Sequence, residues 1–296
     1  MKAKFTLLIG LGLMLALLPA PDPCAAGDAL VEVLDSGCID WSSATIRSRG
    51  IAAPSDIPDT QSETPSEILH AARHMAQANL LKTVEAVRIN AASRVADRMA
   101  QHPDFREGLV ALVKNAAITR QEYLSDGTLE IEMTMSLTGG FGQFVLPEEI
   151  HQVEPVTTVN GLQAQKDDQA SSVEGVDDAS YTGLIIDAAG IGAMPSLVPV
   201  VVDESGDVVY GPAIASREFA VARGMSGFAT TLRAARGDRR VGARPMVVKA
   251  IQTRSTGPTD LVISTADAAR LRSSVVHLNF MKACRVSIVM NHTDNP

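Results

Sequence analysis

The chain has 296 residues, 46% hydrophobic and 20% charged, which supplies a substantial core and excludes a disordered polyelectrolyte. Lys plus Arg number 26 against 34 Asp plus Glu, a net charge of −8, so no overall basic surface exists to displace counterions from a nucleic acid. Aromatics are only 4%, with a single Trp, which argues against a site built on base or sugar stacking.

Lys2 and Lys4 precede an uncharged, mostly apolar run over residues 5–18, closed by Pro19, Pro21 and Pro23. The run is too short to cross about 30 Å of hydrocarbon as a helix, so it reads as a signal peptide. Cleavage after Ala26 places Cys24 and Ala26 at the recognised positions and makes residues 1–26 the leader. Cys24 also raises lipidation, but Pro23 departs from the small-residue context that lipidation uses. With that cut, Cys38 and Cys284 remain. Two readings stay open for them: a disulfide closing a loop across nearly the whole chain, worth about 4–5 kcal/mol in the chain-entropy model, or two small buried hydrophobes.

A loose two-residue rhythm over residues 39–51, with Trp41, Ala44 and Ile46, predicts a strand. Residues 54–64 are polar and read as a loop. Thr64-Pro65-Ser66-Glu67 then reads as a capping box, with Pro at the first helical position. Leu69, Ala72, Met75, Ala76, Leu80, Val84 and Val87 follow at helical spacing and predict a long amphipathic helix. Shorter helices are predicted over residues 93–100 and 105–115. Two alternating runs at 116–124 and 128–137 flank Ser125-Asp126-Gly127, a hairpin signal because Asp-Gly tolerates positive φ. Gly139-Gly140-Phe141-Gly142 reads as a flexible exit.

Residues 27–147 are thus a small strand-helix-helix-strand-strand domain. Residues 148–180, with Asp167, Asp168, Glu174, Asp177 and Asp178 in their second half, read as an acidic linker. In the second block, 181–296, strands are predicted at 181–187, 197–202, 208–210, 246–252, 261–263 and 283–290. A hairpin turn at 203–207, a helix over 216–235 and a short helix capped by Ser264 complete it. The fold class is α+β, the second domain mixed α/β.

The Ala-rich helix Ala71-Ala72-Arg73-His74-Met75-Ala76, continuing to Val84-Glu85-Ala86-Val87, and the hairpin Tyr123-Leu124-Ser125-Asp126-Gly127-Thr128-Leu129-Glu130-Ile131 resemble the Lpp-twenty family of Gram-negative envelope lipoproteins, of the FlgP and FlgT N-terminal type. The resemblance covers residues 39–147. The second block, through Tyr181-Thr182-Gly183-Leu184-Ile185-Ile186-Asp187-Ala188, Pro195, Pro199, Asp203-Glu204, Gly206 and Val209-Tyr210-Gly211, is similar to the extension of larger members. What the resemblance implies is a periplasmic or outer-membrane-associated structural protein that assembles near the flagellar motor. The missing lipidation context departs from the family and makes membrane association indirect.

Candidate chemistry is sparse. Glu67, His70 and His74 share one helix side at metal-ligand spacing, but Ala71 stands where a zincin carries its catalytic Glu. Gly190-Ile191-Gly192 hints at a phosphate turn, yet no helix signal follows. Gly224-Met225-Ser226-Gly227 lacks nucleophile-elbow spacing. Arg233, Arg236, Arg239, Arg240 and Arg244 form the one basic cluster, with only Asp238 among them, and are the candidate interaction surface. The expectation is a non-enzymatic envelope protein with no cofactor and no bound metal, acting through protein partners and possible self-assembly. The alternative is a periplasmic module that binds an anionic ligand through Arg233 to Arg244.

Overall fold

The computed structural model describes residues 24, 27–54, 65–151 and 181–291. The capping Thr64 and most of the expected leader and linker lie outside them. The architecture is α+β with two sheets. The first block runs β1 (Val31–Leu34), β2 (Gly37–Asp40), β3 (Thr45–Ala52), α1 (Pro65–Glu85), α2 (Val95–Gln101), α3 (Pro103–Lys114), β4 (Ala117–Tyr123), β5 (Leu129–Ser136) and α4 (Gly140–Val145). Its sheet is antiparallel throughout, in the order β1-β2-β3-β5-β4.

α1 lies across β3 and β5 because its sequence presents a narrow apolar seam with two alanines at its centre. Ile68, Ala72, Ala76, Leu80 and Val84 are buried, at helical spacing. The seam runs one residue ahead of the expected stripe at its start: Leu69 is only partly buried and Met75 is 44% exposed. Gly50 of β3 permits the close approach, since a Cβ there would stand 2.1 Å from the Ala72 carbonyl oxygen. Ser48 Oγ donates to the Ala76 carbonyl at 2.9 Å and Asn79 Nδ2 to that of Arg49 at 2.8 Å, fixing the helix along the strand. The β4–β5 hairpin turns where Asp-Gly predicts it, with Gly127 at φ +84° and Asp126 Oδ1 accepting from the Thr128 amide. Gly139 to Gly142 is not an exit: Gly139 adopts φ +64° and α4 follows, with Phe141 and Val145 buried.

The second block comprises β6 (Gly183–Asp187), β7 (Val201–Asp203), β8 (Val208–Tyr210), α5 (Arg217–Arg223), β9 (Gly227–Ala229), α6 (Leu232–Gly237), β10 (Pro245–Arg254), β11 (Gly257–Ile263), α7 (Thr265–Arg272), α8 (Val275–Lys282) and β12 (Val286–Val289). The strand order is β8-β7-β11-β10-β6-β12-β9. β10, β6, β12 and β9 are mutually parallel, whereas β11 runs antiparallel to β10. Leu184, Ile185 and Ile186 of the central β6 are all fully buried, as a parallel strand covered on both faces requires. The helix expected over 216–235 is broken in two. Gly224, at φ +77°, ends α5, and the chain extends as β9 before α6 begins.

The two blocks share one buried core that runs from Ile46 and Leu80 through to Ile186 and Ile288. Trp41 meets Phe228 edge-on, with ring centroids 5.7 Å apart. Arg88 grips both carboxylate oxygens of Glu32, at 2.7 and 2.8 Å, while the Leu197 and Val198 amides donate to the Arg88 and Ile89 carbonyls.

The cysteines are arranged differently from either expectation. Cys38 is bonded to Cys24, and Cys284 is a free, buried thiol at the end of α8. The Cys38–Cys284 pairing fails because Cys38 faces the N-terminal segment from β2, while Cys284 sits beside Tyr210 and Arg240 in the second block. Cleavage after Ala26 would also remove Cys24, so that cut and this disulfide exclude one another. A lipidated Cys24 sulfur and this bond likewise exclude one another.

Candidate interaction surface

α6 begins at Thr231, whose hydroxyl accepts from the Ala234 amide at 3.1 Å. Its Ala235 packs with Ile185, Ala229, Val241 and Val289 in a small core against the second sheet. That anchoring turns Arg233 and Arg236 outward. Beyond the helix, Thr182 clamps the loop: its hydroxyl donates to the Val241 carbonyl at 2.7 Å and accepts from the Arg244 amide at 3.0 Å. Gly242, at φ +74°, fits against that threonine where a Cβ would be 2.7 Å from Oγ1. The backbone of the arginine segment is therefore fixed.

Arg233, Arg236, Arg239 and Arg244 are exposed, and among the described residues none of them makes an ion pair. They hold four positive charges on one short segment of an acidic chain. Such a field attracts polyanions and acidic protein surfaces.

Arg240 does not belong to this surface. Its side chain is 13% exposed and turns inward over Gly227. The guanidinium donates to the carbonyls of Gly224 and Cys284, each at 3.1 Å, and to that of Arg223, with Asp238 beside it. Burial pulls its pKa below the usual arginine value, and Asp238 opposes that shift. The sequence predicts five equivalent arginines; what it hides is that Gly224 breaks the helix and leaves carbonyls for one of them to satisfy.

Beneath Arg240 lies a pair that sequence reasoning missed. Tyr210 is fully buried and donates to the Met225 carbonyl, and the Cys284 thiol lies beside it. Burial raises the pKa of both groups, most strongly for Tyr210. Cys284 takes φ +54°, in the left-handed region that a branched side chain avoids. No sequence motif marks this pair; only the tertiary fold brings the turn after α8 against Tyr210 of β8.

The remaining candidates are placed as follows. His70 and His74 are exposed on α1, and among the described residues no three His, Cys, Asp or Glu side chains gather to hold a metal ion. Gly190 and Gly192 lie in an open turn after β6, where the Gly190 amide donates to Asn291 Oδ1 and no helix follows directly. Ser226 leads into β9, its hydroxyl buried and without a partner. A cleft of about 360 Å³ opens between α2 and residues 147–149, lined by Asn90, Asp97, Arg98, His102 and Glu148. Arg98 is committed there to the Val145 carbonyl at 2.8 Å and to the face of Phe105. Among the described residues, no helix is long and apolar enough to cross a membrane.

Residues 183–292 match the family described as the second domain of Treponema pallidum Tp0624. The match spans the second sheet from β6 to β12. No curated protein matches the chain.

Proposed function

We propose that this chain is an exported, non-enzymatic envelope protein of the Lpp-twenty-like type that works through protein–protein contacts, at the periplasm or the outer-membrane periphery, with flagellar assembly as its setting. The observation that carries the reading is that the two stretches bearing the resemblance pack into one unit, a helix on a sheet. The Ala-rich helix lies directly on β3 and β5, and the Asp-Gly hairpin supplies β4 and β5 beside it. The Cys24–Cys38 disulfide, a short distance beyond the apolar N-terminal run, supports an oxidising compartment.

A second reading is favoured by the unpaired arginines. Arg233, Arg236, Arg239 and Arg244 form a contact face for an anionic partner such as an acidic segment, an envelope polymer or lipid headgroups.

The test is the native mass of the protein, extracted gently from its own envelope fraction, by light scattering. A discrete species larger than the monomer is expected. A clean monomer would overturn self-assembly, and salt-sensitive binding of that monomer to a polyanion, lost on reversing Arg236 and Arg239, would favour the second reading.

A further inference from the structure

The first sheet ends on β4, and this edge differs from the others. β4 is seven residues long, whereas the edge strands β1, β8 and β9 have four, three and three. α1 covers Leu129, Ile131 and Met133 of β5, which are fully buried. Their β4 neighbours on the same face, Tyr123, Gln121 and Ile118, are exposed, Tyr123 by 55% and Ile118 by 40%. Apolar side chains beside an unpaired backbone edge form a template for a further strand.

We propose that β4 pairs antiparallel with β4 of a second copy of this chain, about a two-fold axis through Gln121. The register follows from charge. Directly opposite residues of an antiparallel pair share a face of the sheet. An axis at Gln121 sets Arg120 opposite Glu122 of the second copy, twice over, and puts two neutral amides on the axis. An axis at Glu122 would oppose two carboxylates, and one at Arg120 two guanidiniums. Within one chain Arg120 already reaches Glu122 at 2.5 Å, and both remain partly exposed, so each has capacity for a second partner. The register shift between Ile118 and Arg120 ends regular pairing on one side, and the hairpin turn ends it on the other. The segment is therefore short and its register fixed. On the helix side, the exposed Ile118 and Tyr123 of the two copies face one trough between the two α1 helices.

The inference rests on the assembly reading and supplies its interface. The test is sedimentation equilibrium of the full chain, its R120E and E122R variants, and an equimolar mixture of the two. The native chain is expected to dimerise reversibly. Each variant alone opposes like charges at both pairs and should weaken dimerisation about tenfold or more. The mixture should restore it, because a chain with two acidic residues then faces one with two basic residues. Restored mass in the mixture also requires folded chains, so a loss caused by misfolding is distinguished. A native chain that stays monomeric overturns the proposal. An oligomer of unchanged mass in both variants overturns it too, yet leaves the assembly reading standing through another interface.

Discussion

The two sheets treat their edges differently: both edges of the second are closed, but only one of the first. At one end of the second sheet, Arg272 of α7 reaches over the β7–β8 hairpin, pairing with Asp203 at 2.8 Å and donating to the Asp207 and Val208 carbonyls. At the other end, Arg240 and Asp238 sit over Gly227 of β9, close enough that a Cβ there would meet them at about 3 Å. In the first sheet, β1 is held through Glu32 by Arg88. Among the described residues, none guards β4 in this way. Edge strands invite unwanted pairing, and three of these four are short and pinned by an arginine. The long, bare fourth is where a contact surface is available, and the pinned edges are where stability resides.

That contrast is broken most strongly at Arg240. Arg240→Ala leaves the partly buried carbonyls of Arg223, Gly224 and Cys284 without this donor, and should cost about 3–5 kcal/mol. Arg239→Ala, one residue away and exposed, should stay within about 0.5 kcal/mol. Urea unfolding of the two variants checks the difference; equal effects would show that Arg240 belongs to the surface after all. Next in size is the Cys24–Cys38 bond, which closes a loop of 14 residues in sequence separation. Cys38→Ser should lose about 3 kcal/mol if the mature chain retains Cys24. Peptide mapping of unreduced mature protein reads this directly. A mature N terminus at Gly27, with Cys38 as a free thiol, would restore the cleavage after Ala26.

Periodicity made the long helix, the Asp-Gly hairpin and the β7–β8 hairpin legible, because each is decided within a few residues. Boundaries set by tertiary packing were not. Ser216 to Ala235 carries helical spacing throughout, and only Gly224 shows where a strand is inserted; the strand forms because β12 offers it a parallel partner. Gly139 to Gly142 reads as an exit from its glycines, whereas Phe141 and Val145 draw the segment into the core. The arginine cluster was legible as charge, but not which of its members turns inward. Likewise β4 shows its alternation in the sequence, yet its bare face depends on where α1 lies. Cys24 escaped because the leader reading discarded it before its partner was sought.

The smallest expected effect concerns the guarded edge at the β7–β8 hairpin. The hydrogen bond from Arg272 holds the Asp203 carboxyl below its ordinary pKa, against the opposing effect of burial, and the Asp207 and Ser205 amides add to the shift. A carboxyl depressed in the folded state contributes stability above the unfolded value of about 3.9, and loses it as pH falls through the lower folded value. Asp203→Asn should therefore lower the melting temperature at pH 7. The gap between the native chain and the variant should narrow below about pH 4, as the native carboxyl takes up its proton. Thermal melts of both proteins from neutral to acid pH measure that gap. A gap that stayed constant into acid would mean that Asp203 acts by shape and hydrogen bonding alone. The edge would then be closed by Arg272 through its contacts to the Asp207 and Val208 carbonyls, and the ion pair would add nothing to the guard.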